Sequence, residues 1–183
     1  MNVSELKAVS VFAAVNDIKY FFNGLHIDFE KGILEATDGC CLVRVEHPDF
    51  LQKGQGDMIV PIKTVQTVLR YLDKKEKVEI TRTTIGGIPF KPIEGRYLDC
   101  NRVIPDETTE KGVIPWLNSK YLAKIENLEK VFKFDFYSIQ LPQFYKNAVR
   151  FDFERGNLKV LAVLMPKRMR FSNPPDDYPN QRI

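Results

Sequence analysis

The stretch "LEATDGCCLVRVE", Leu34 to Glu46, consists of two short strand-like runs broken by a tight Asp38-Gly39 pair. An Asp-Gly between apolar runs is a hairpin signal, because glycine supplies the left-handed backbone that a tight turn demands. The doubled cysteine in the second run invites a redox reading, which its setting does not support. Neighbours in a strand point to opposite faces, and there is no Cys-x-x-Cys spacing or helix start to depress a thiol pKa. Cys40 and Cys41 therefore read as small strand residues.

Outward from this hairpin, helix signals recur at wide spacing. "VSELKAVSVFAAV" places Leu6, Val9 and Ala13 on one face, with Ser4 as the expected cap. "PIKTVQTVLRYLDKK" places Val65, Val68, Leu69 and Leu72 on one face, and "NSKYLAKIENLEK" places Tyr121, Ile125 and Leu128 behind an Asn118 cap. Short apolar runs ending in proline, "MIVP" and "GVIP", suit strands feeding the second and third helices. After each helix come strand-like runs: "YFFNGLHIDF", "GILEATDG" and "CLVRVE"; "EKVEITRT" and "GGIPFKPIEGRYL"; "KVFKFDFYS", "AVRFDFERG" and "LKVLAVLMP". The chain reads as three copies of a strand-helix-antiparallel-strand motif, each roughly 50 to 60 residues long. An α+β fold with the helices on one face of the sheet is expected.

Composition narrows the function. A chain of 183 residues that is 44% hydrophobic can bury a core. It has no long apolar run and no secretion-signal pattern at its start, so a soluble cytoplasmic protein is expected. Three cysteines do not make a disulfide framework, and the net charge of +3 does not by itself announce nucleic acid. His26 and His47 lack metal-ligand spacing and read as structural. The Gly86-Gly87 pair reads as a hairpin turn, and "DKKEK" and "PDETTEK" as solvated loop charge. No phosphate-binding loop, nucleophile elbow or catalytic constellation is present, so no enzyme, cofactor or metal is expected.

A resemblance joins these pieces. "ATDGCCLV" resembles the Ala-Thr-Asp-Gly-His-Arg-Leu stretch in the middle domain of bacterial DNA sliding clamps, the β subunit of replicative DNA polymerase. "IVPIKTVQTVLRYL" resembles the family's Val-Pro-Arg-Lys segment and its helix, and "EGRYLDCNRVIP" its Asp-Gly-Arg-Phe-Pro-Asp-Tyr-Arg-Arg-Val-Ile-Pro. "NSKYLAKI" is similar to a helix start of the last clamp domain, and "VLAVLMPKR" to its closing Val-Met-Pro-Met-Arg. The matches keep the family's order from Leu6 to Arg168. They imply a clamp domain of two motifs over 1–106, a third motif over 112–168 and a tail over 169–183. The departures are a missing first domain, Cys40 and Cys41 in place of His-Arg, and Lys167 where methionine is usual. A shortened homologue of the kind a phage or mobile element would encode fits them.

The resemblance implies two surfaces. A ring that slides holds DNA by charge without reading bases, so its inner helices offer cations to phosphates; here Lys63, Arg70, Lys74, Lys120 and Lys124 are the candidates for duplex DNA. A peptide groove that docks short motifs of DNA polymerase and the clamp loader maps to Thr37, Gly39, Leu42, Pro105, Val163, Met165 and Pro166. A homo-oligomer is implied, a tetramer of three motifs per chain being favoured, with the third motif pairing with its like. The alternative is a module that keeps the groove, forms no ring, and binds clamp-interacting peptides or a host clamp.

Overall fold

The computed structural model describes residues 1–52, 54–105 and 112–167. Its order is α1 (Val3–Ser10), β1 (Gly24–Asp28), β2 (Ile33–Thr37), β3 (Cys41–Glu46), β4 (Asp57–Pro61), α2 (Ile62–Tyr71), β5 (Thr84–Ile85), β6 (Ile88–Pro89), α3 (Ser119–Phe132), β7 (Phe136–Gln140), β8 (Val149–Arg155) and β9 (Leu158–Leu164). Seven strands form one antiparallel sheet in the order β4-β1-β2-β3-β9-β8-β7; β5 and β6 make a separate hairpin. The α+β expectation holds. Among the described residues no helix is long and apolar enough to cross a membrane, and no group of three or more His, Cys, Asp or Glu could hold a metal ion.

Period-two alternation divides the sheet into two chemistries. Leu25 and Ile27, Leu34 and Ala36, Cys41, Val43 and Val45, Met58 and Val60 join the main core. So do Phe151 and Phe153 of β8 and Val160, Ala162 and Leu164 of β9. The helices cover this face: α1 contributes Leu6 and Val9, α2 Val65 and Val68, α3 Ile125, Leu128 and Phe132, and α1 contacts both other helices. The opposite face carries His26, Glu35 and Arg44, with Leu42, Ile59 and Val163 in a smaller apolar cluster beneath residues 93–104. The sheet and the main core draw on residues of both parts expected from the motifs, 1–106 and 112–168.

Helix caps follow local chemistry, with one correction. Asn2 rather than Ser4 caps α1: its Oδ1 accepts from the Glu5 N–H at 2.9 Å while the Glu5 carboxylate accepts from the Asn2 N–H at 2.9 Å. Ser4 lies inside the helix, and its hydroxyl donates to the Lys74 carbonyl at 3.0 Å. Asn118 caps α3 as expected, accepting from the Lys120 N–H at 3.0 Å.

The second repeat is thinner than the sequence suggests. "EKVEITRT" makes only isolated bridges, Lys77 to Asn2 and Ile80 to Ile85, and the two-residue strands β5 and β6 follow it around Gly86 and Gly87, whose φ values are +54° and +75°. Pro89 and Pro92 remove donors that a longer ladder would need. "GVIP" forms no strand; Val113 instead donates its N–H to the Pro142 carbonyl at 2.8 Å. The 169–183 tail and most of "PDETTEK" lie outside the described residues.

Leu128 on α3 is fully buried against the sheet. Leu128→Ala is expected to cost about 3 kcal/mol of unfolding free energy, through the transfer energy of the deleted methyls and a residual cavity, as read from the midpoint of a denaturant titration at unchanged slope.

Candidate functional site

The β2–β3 turn is held from within. Thr37 Oγ1 donates to the Cys41 carbonyl at 2.7 Å and accepts from the Gly39 N–H at 3.0 Å. Asp38 Oδ1 accepts from the N–H groups of Cys40 and Cys41, both at 2.9 Å. Gly39 sits at φ +85°, and a β-carbon there would come within 3.2 Å of the Phe22 ring, so both backbone and space call for glycine.

A lysine expected to face DNA completes this turn instead. Lys124 Nζ reaches Asp38 Oδ2 at 3.1 Å and Cys41 Sγ at 3.2 Å, and lies 4.9 Å from the Tyr121 ring centroid and 5.3 Å from that of Phe12. Burial pushes the Asp38 carboxyl up, but the Cys40 N–H, the Lys124 charge and the Cys41 N–H outweigh it, and its pKa falls below the ordinary value. Burial drives the Cys41 thiol up to about 12, which keeps it protonated and unreactive. Lys63, Arg70, Lys74 and Lys120 are exposed as expected. Lys74 lies beyond the end of α2. Lys7, the exposed cation of the helix between α2 and α3, escaped the sequence reading because α1 offers no second lysine at helical spacing.

Strand register brings the groove residues together. In the β3–β9 pairing Leu42 faces Val163 and Cys41 faces Leu164, and Met165 continues the ladder by donating its N–H to the Cys40 carbonyl at 2.9 Å. Thr37, Gly39 and Leu42 thus meet Val163, Met165 and Pro166 at one end of the two strands. Pro105 approaches β8, its carbonyl accepting from Arg150 Nη1 at 3.1 Å. The residues differ in access. Met165 is 41% exposed, whereas Leu42 and Val163 are 3% and 2% exposed, in one cluster with Tyr97, Cys100 and Ala148 and with Ile104 packed against it. The apolar floor is present and roofed by the 93–104 segment. The clefts of about 290, 580 and 380 Å³ elsewhere on the molecule are lined by other residues.

The same sheet face holds a polar network that the sequence reading missed. His26 presents Nδ1 to Glu35 Oε2 at 3.0 Å and Nε2 to Asp57 Oδ2 at 3.1 Å, and stacks on Tyr97 with ring centroids 4.5 Å apart. Arg44 donates from Nε to Glu35 Oε1 at 2.7 Å and from Nη2 to Asn101 Oδ1 at 2.9 Å. The β1–β2 and β2–β3 registers explain it, pairing His26 with Glu35 and Glu35 with Arg44. Through Tyr97 and Asn101 the network fastens the roof, and the cleft of about 580 Å³ opens beside it. Burial opposes the charged imidazole, but hydrogen bonds to Glu35 and Asp57 outweigh it and raise the His26 pKa above its ordinary 6.5.

A raised folded-state pKa contributes stability that is complete below 6.5 and fades as pH climbs through the folded value. Thermal stability is therefore expected to fall as pH rises above about 6.5, and His26→Asn is expected to flatten that dependence, as read from melting curves of both proteins.

No protein-family profile matches the chain, and no curated protein matches it in sequence. Solved structures do. The DNA polymerase III subunit beta of Pseudomonas aeruginosa superposes with a TM-score of 0.67 at 16% identity, over 92% of this chain and 65% of that one. The corresponding Thermotoga maritima subunit gives 0.67 at 13% identity, over 93% and 65%. The Helicobacter pylori beta clamp bound to a DNA ligase peptide gives 0.61 at 13% identity, over 91% and 63%. The resemblance read from the ordered motifs thus holds at the level of the fold, which is that of the bacterial sliding clamps. The chain spans about 65% of the Pseudomonas subunit's length.

Proposed function

We propose that the chain is a shortened clamp-like processivity factor that encircles duplex DNA as a homo-oligomer, a tetramer being favoured. In this reading it tethers DNA polymerase and the clamp loader through short peptide motifs and performs no chemistry of its own. The observation that carries the proposal is the β3–β9 seam, which gathers the turn at 37–39 and the strand end at 163–166 into one surface. A peptide crossing this seam would meet Met165, an unbranched side chain that adapts to varied anchors, beside an apolar floor. The Helicobacter clamp that shares the fold was solved with a DNA ligase peptide bound. The roof over Leu42 and Val163 has to give way for a deep anchor, and the 93–104 segment is the element that would shift.

One observation favours a second reading, a clamp-like module that binds such peptides or a host clamp without forming a ring. The helix layer is weakly cationic, since Lys124 is spent on Asp38, Lys130 pairs with Glu126 at 2.6 Å, and Glu126 and Glu129 share α3 with the lysines.

One experiment tests the groove that both readings share, and a second separates them. An anchor of Leu or Phe size buried at Met165 should contribute about 1.5 to 3 kcal/mol, so Met165→Asp is expected to weaken binding of a clamp-interacting peptide by about one to two powers of ten in fluorescence anisotropy. Unchanged binding would remove the groove assignment. Replacing Lys63, Arg70, Lys74 and Lys120 by alanine is expected to lower the slope of log affinity against log salt by roughly 0.9 for each phosphate no longer neutralised, measured on circular duplex DNA. A slope identical to the parent's favours the module without a ring.

A further inference from the structure

The roof over Leu42 and Val163 is tied down by its backbone at the ends alone. The Ile93 N–H donates to the Ile59 carbonyl at 2.9 Å, and the Pro105 carbonyl accepts from Arg150 Nη1 at 3.1 Å. Between those anchors, every backbone hydrogen bond among the described residues stays inside 99–104, where a short helical turn at Cys100–Arg102 closes on itself. Side chains hold the middle. Tyr97 lies flat on His26, Cys100 is buried in one cluster with Leu42 and Val163, and Asn101 Oδ1 accepts from Arg44 Nη2 at 2.9 Å.

One of these side chains also works against closure. The Tyr97 hydroxyl is buried and finds no hydrogen-bond partner among the described residues, whereas water would satisfy it if the roof lifted. Gly95, at φ +120°, bends the chain between the Ile93 anchor and Tyr97 in a conformation that residues with a side chain rarely adopt. An element with self-contained backbone bonds, a glycine bend and few ties opens at a lower free energy than the sheet it covers.

We infer that 93–104 is a lid that opens as a unit over a sheet that stays folded, with the Asn101–Arg44 bond as its catch, and that its closure limits access of a peptide anchor to Leu42 and Val163. The lid stands on the roof's own bonding; the gating rests on the groove reading proposed above. The Asn101 catch favours the closed lid and the Tyr97 hydroxyl the open one, so these two residues set the fraction of molecules able to take an anchor. Apparent affinity scales with that fraction.

The test uses the full chain with Cys40→Ser, which leaves two thiols buried on opposite faces of the sheet, Cys100 in the lid and Cys41 beneath the helices. Alkylation by iodoacetamide is followed at each cysteine by peptide mass spectrometry, and each rate is divided by that of the unfolded chain. Cys100 is expected to react on the order of 100-fold faster than Cys41. Its rate is expected to stay nearly flat in low urea while that of Cys41 climbs, because lid opening exposes little surface and global unfolding much. Asn101→Ala is expected to raise the Cys100 rate about tenfold, and Tyr97→Phe, which keeps the ring and deletes the unpaired hydroxyl, to lower it about tenfold. Binding of a peptide with a Leu or Phe anchor is expected to tighten in the first variant and weaken in the second by the same factors. Tightening on loss of a hydrogen bond is not the mark of a merely structural residue. Equal labelling of the two thiols with a common urea dependence would overturn the lid. Equal peptide affinities in proteins whose Cys100 rates differ would overturn the gating, and absence of binding in all three proteins, the opened variant included, would overturn the groove reading itself.

Discussion

The backbone ladder between β3 and β9 is the interaction on which the rest of this molecule depends. It makes one sheet from two segments that meet nowhere else in the sheet, and every other strand is placed by reference to it. With register fixed at Leu42 against Val163, the side chains of both halves fall on the same two faces, since a slip of one residue would turn each strand's apolar set toward solvent. The helix layer inherits that registration: α1 from the first half and α3 from the second pack together over the seam. Lys124 adds a side-chain tie at the same place, fixing α3 to the Asp38 turn through a half-buried ion pair backed by two aromatic rings.

Much of this was legible in the sequence. The 3.6-residue spacing in α2 and α3, the Asn118 cap and the Asp-Gly turn are local signals, and local physics decides them. The thin second repeat was not, because strand propensity in "EKVEITRT" is only realised where a partner edge exists, and its prolines and paired glycines withhold one. Asn2 was overlooked as a cap because the apolar spacing of α1 shows where the helix faces and not where it starts. The proximity of Leu42 to Val163 and Met165 follows from strand register, but their burial was not readable, since the roof that covers Leu42 and Val163 comes from a segment with little regular structure.

The polar network on the outer face is a different lesson. His26, Glu35 and Arg44 sit at unremarkable positions in three successive strands, and none of them alone announces a network. Once the hairpins are set in register they form a single row of alternating charge, with Asp57 at one end and Asn101 at the other. Glu35 shows the effect: burial raises its carboxyl, but hydrogen bonding to His26 and the charge of Arg44 pull it below its ordinary value. A buried acid between two cations is costly to disrupt, since removing one member strands the others without water.

The seam also has a kinetic meaning. β9 is the last strand described in chain order, yet it occupies an interior position between β3 and β8. Its contacts with β3 close a loop that contains most of the chain, and closure entropy must be met before that pairing returns any energy. Until then β3 presents a bare edge, and the floor beneath α3 is incomplete. The first half can therefore form its hairpins early, while the molecule as a whole folds only when the final hairpin arrives, which makes the β3 edge the surface most open to mispairing in the nascent chain.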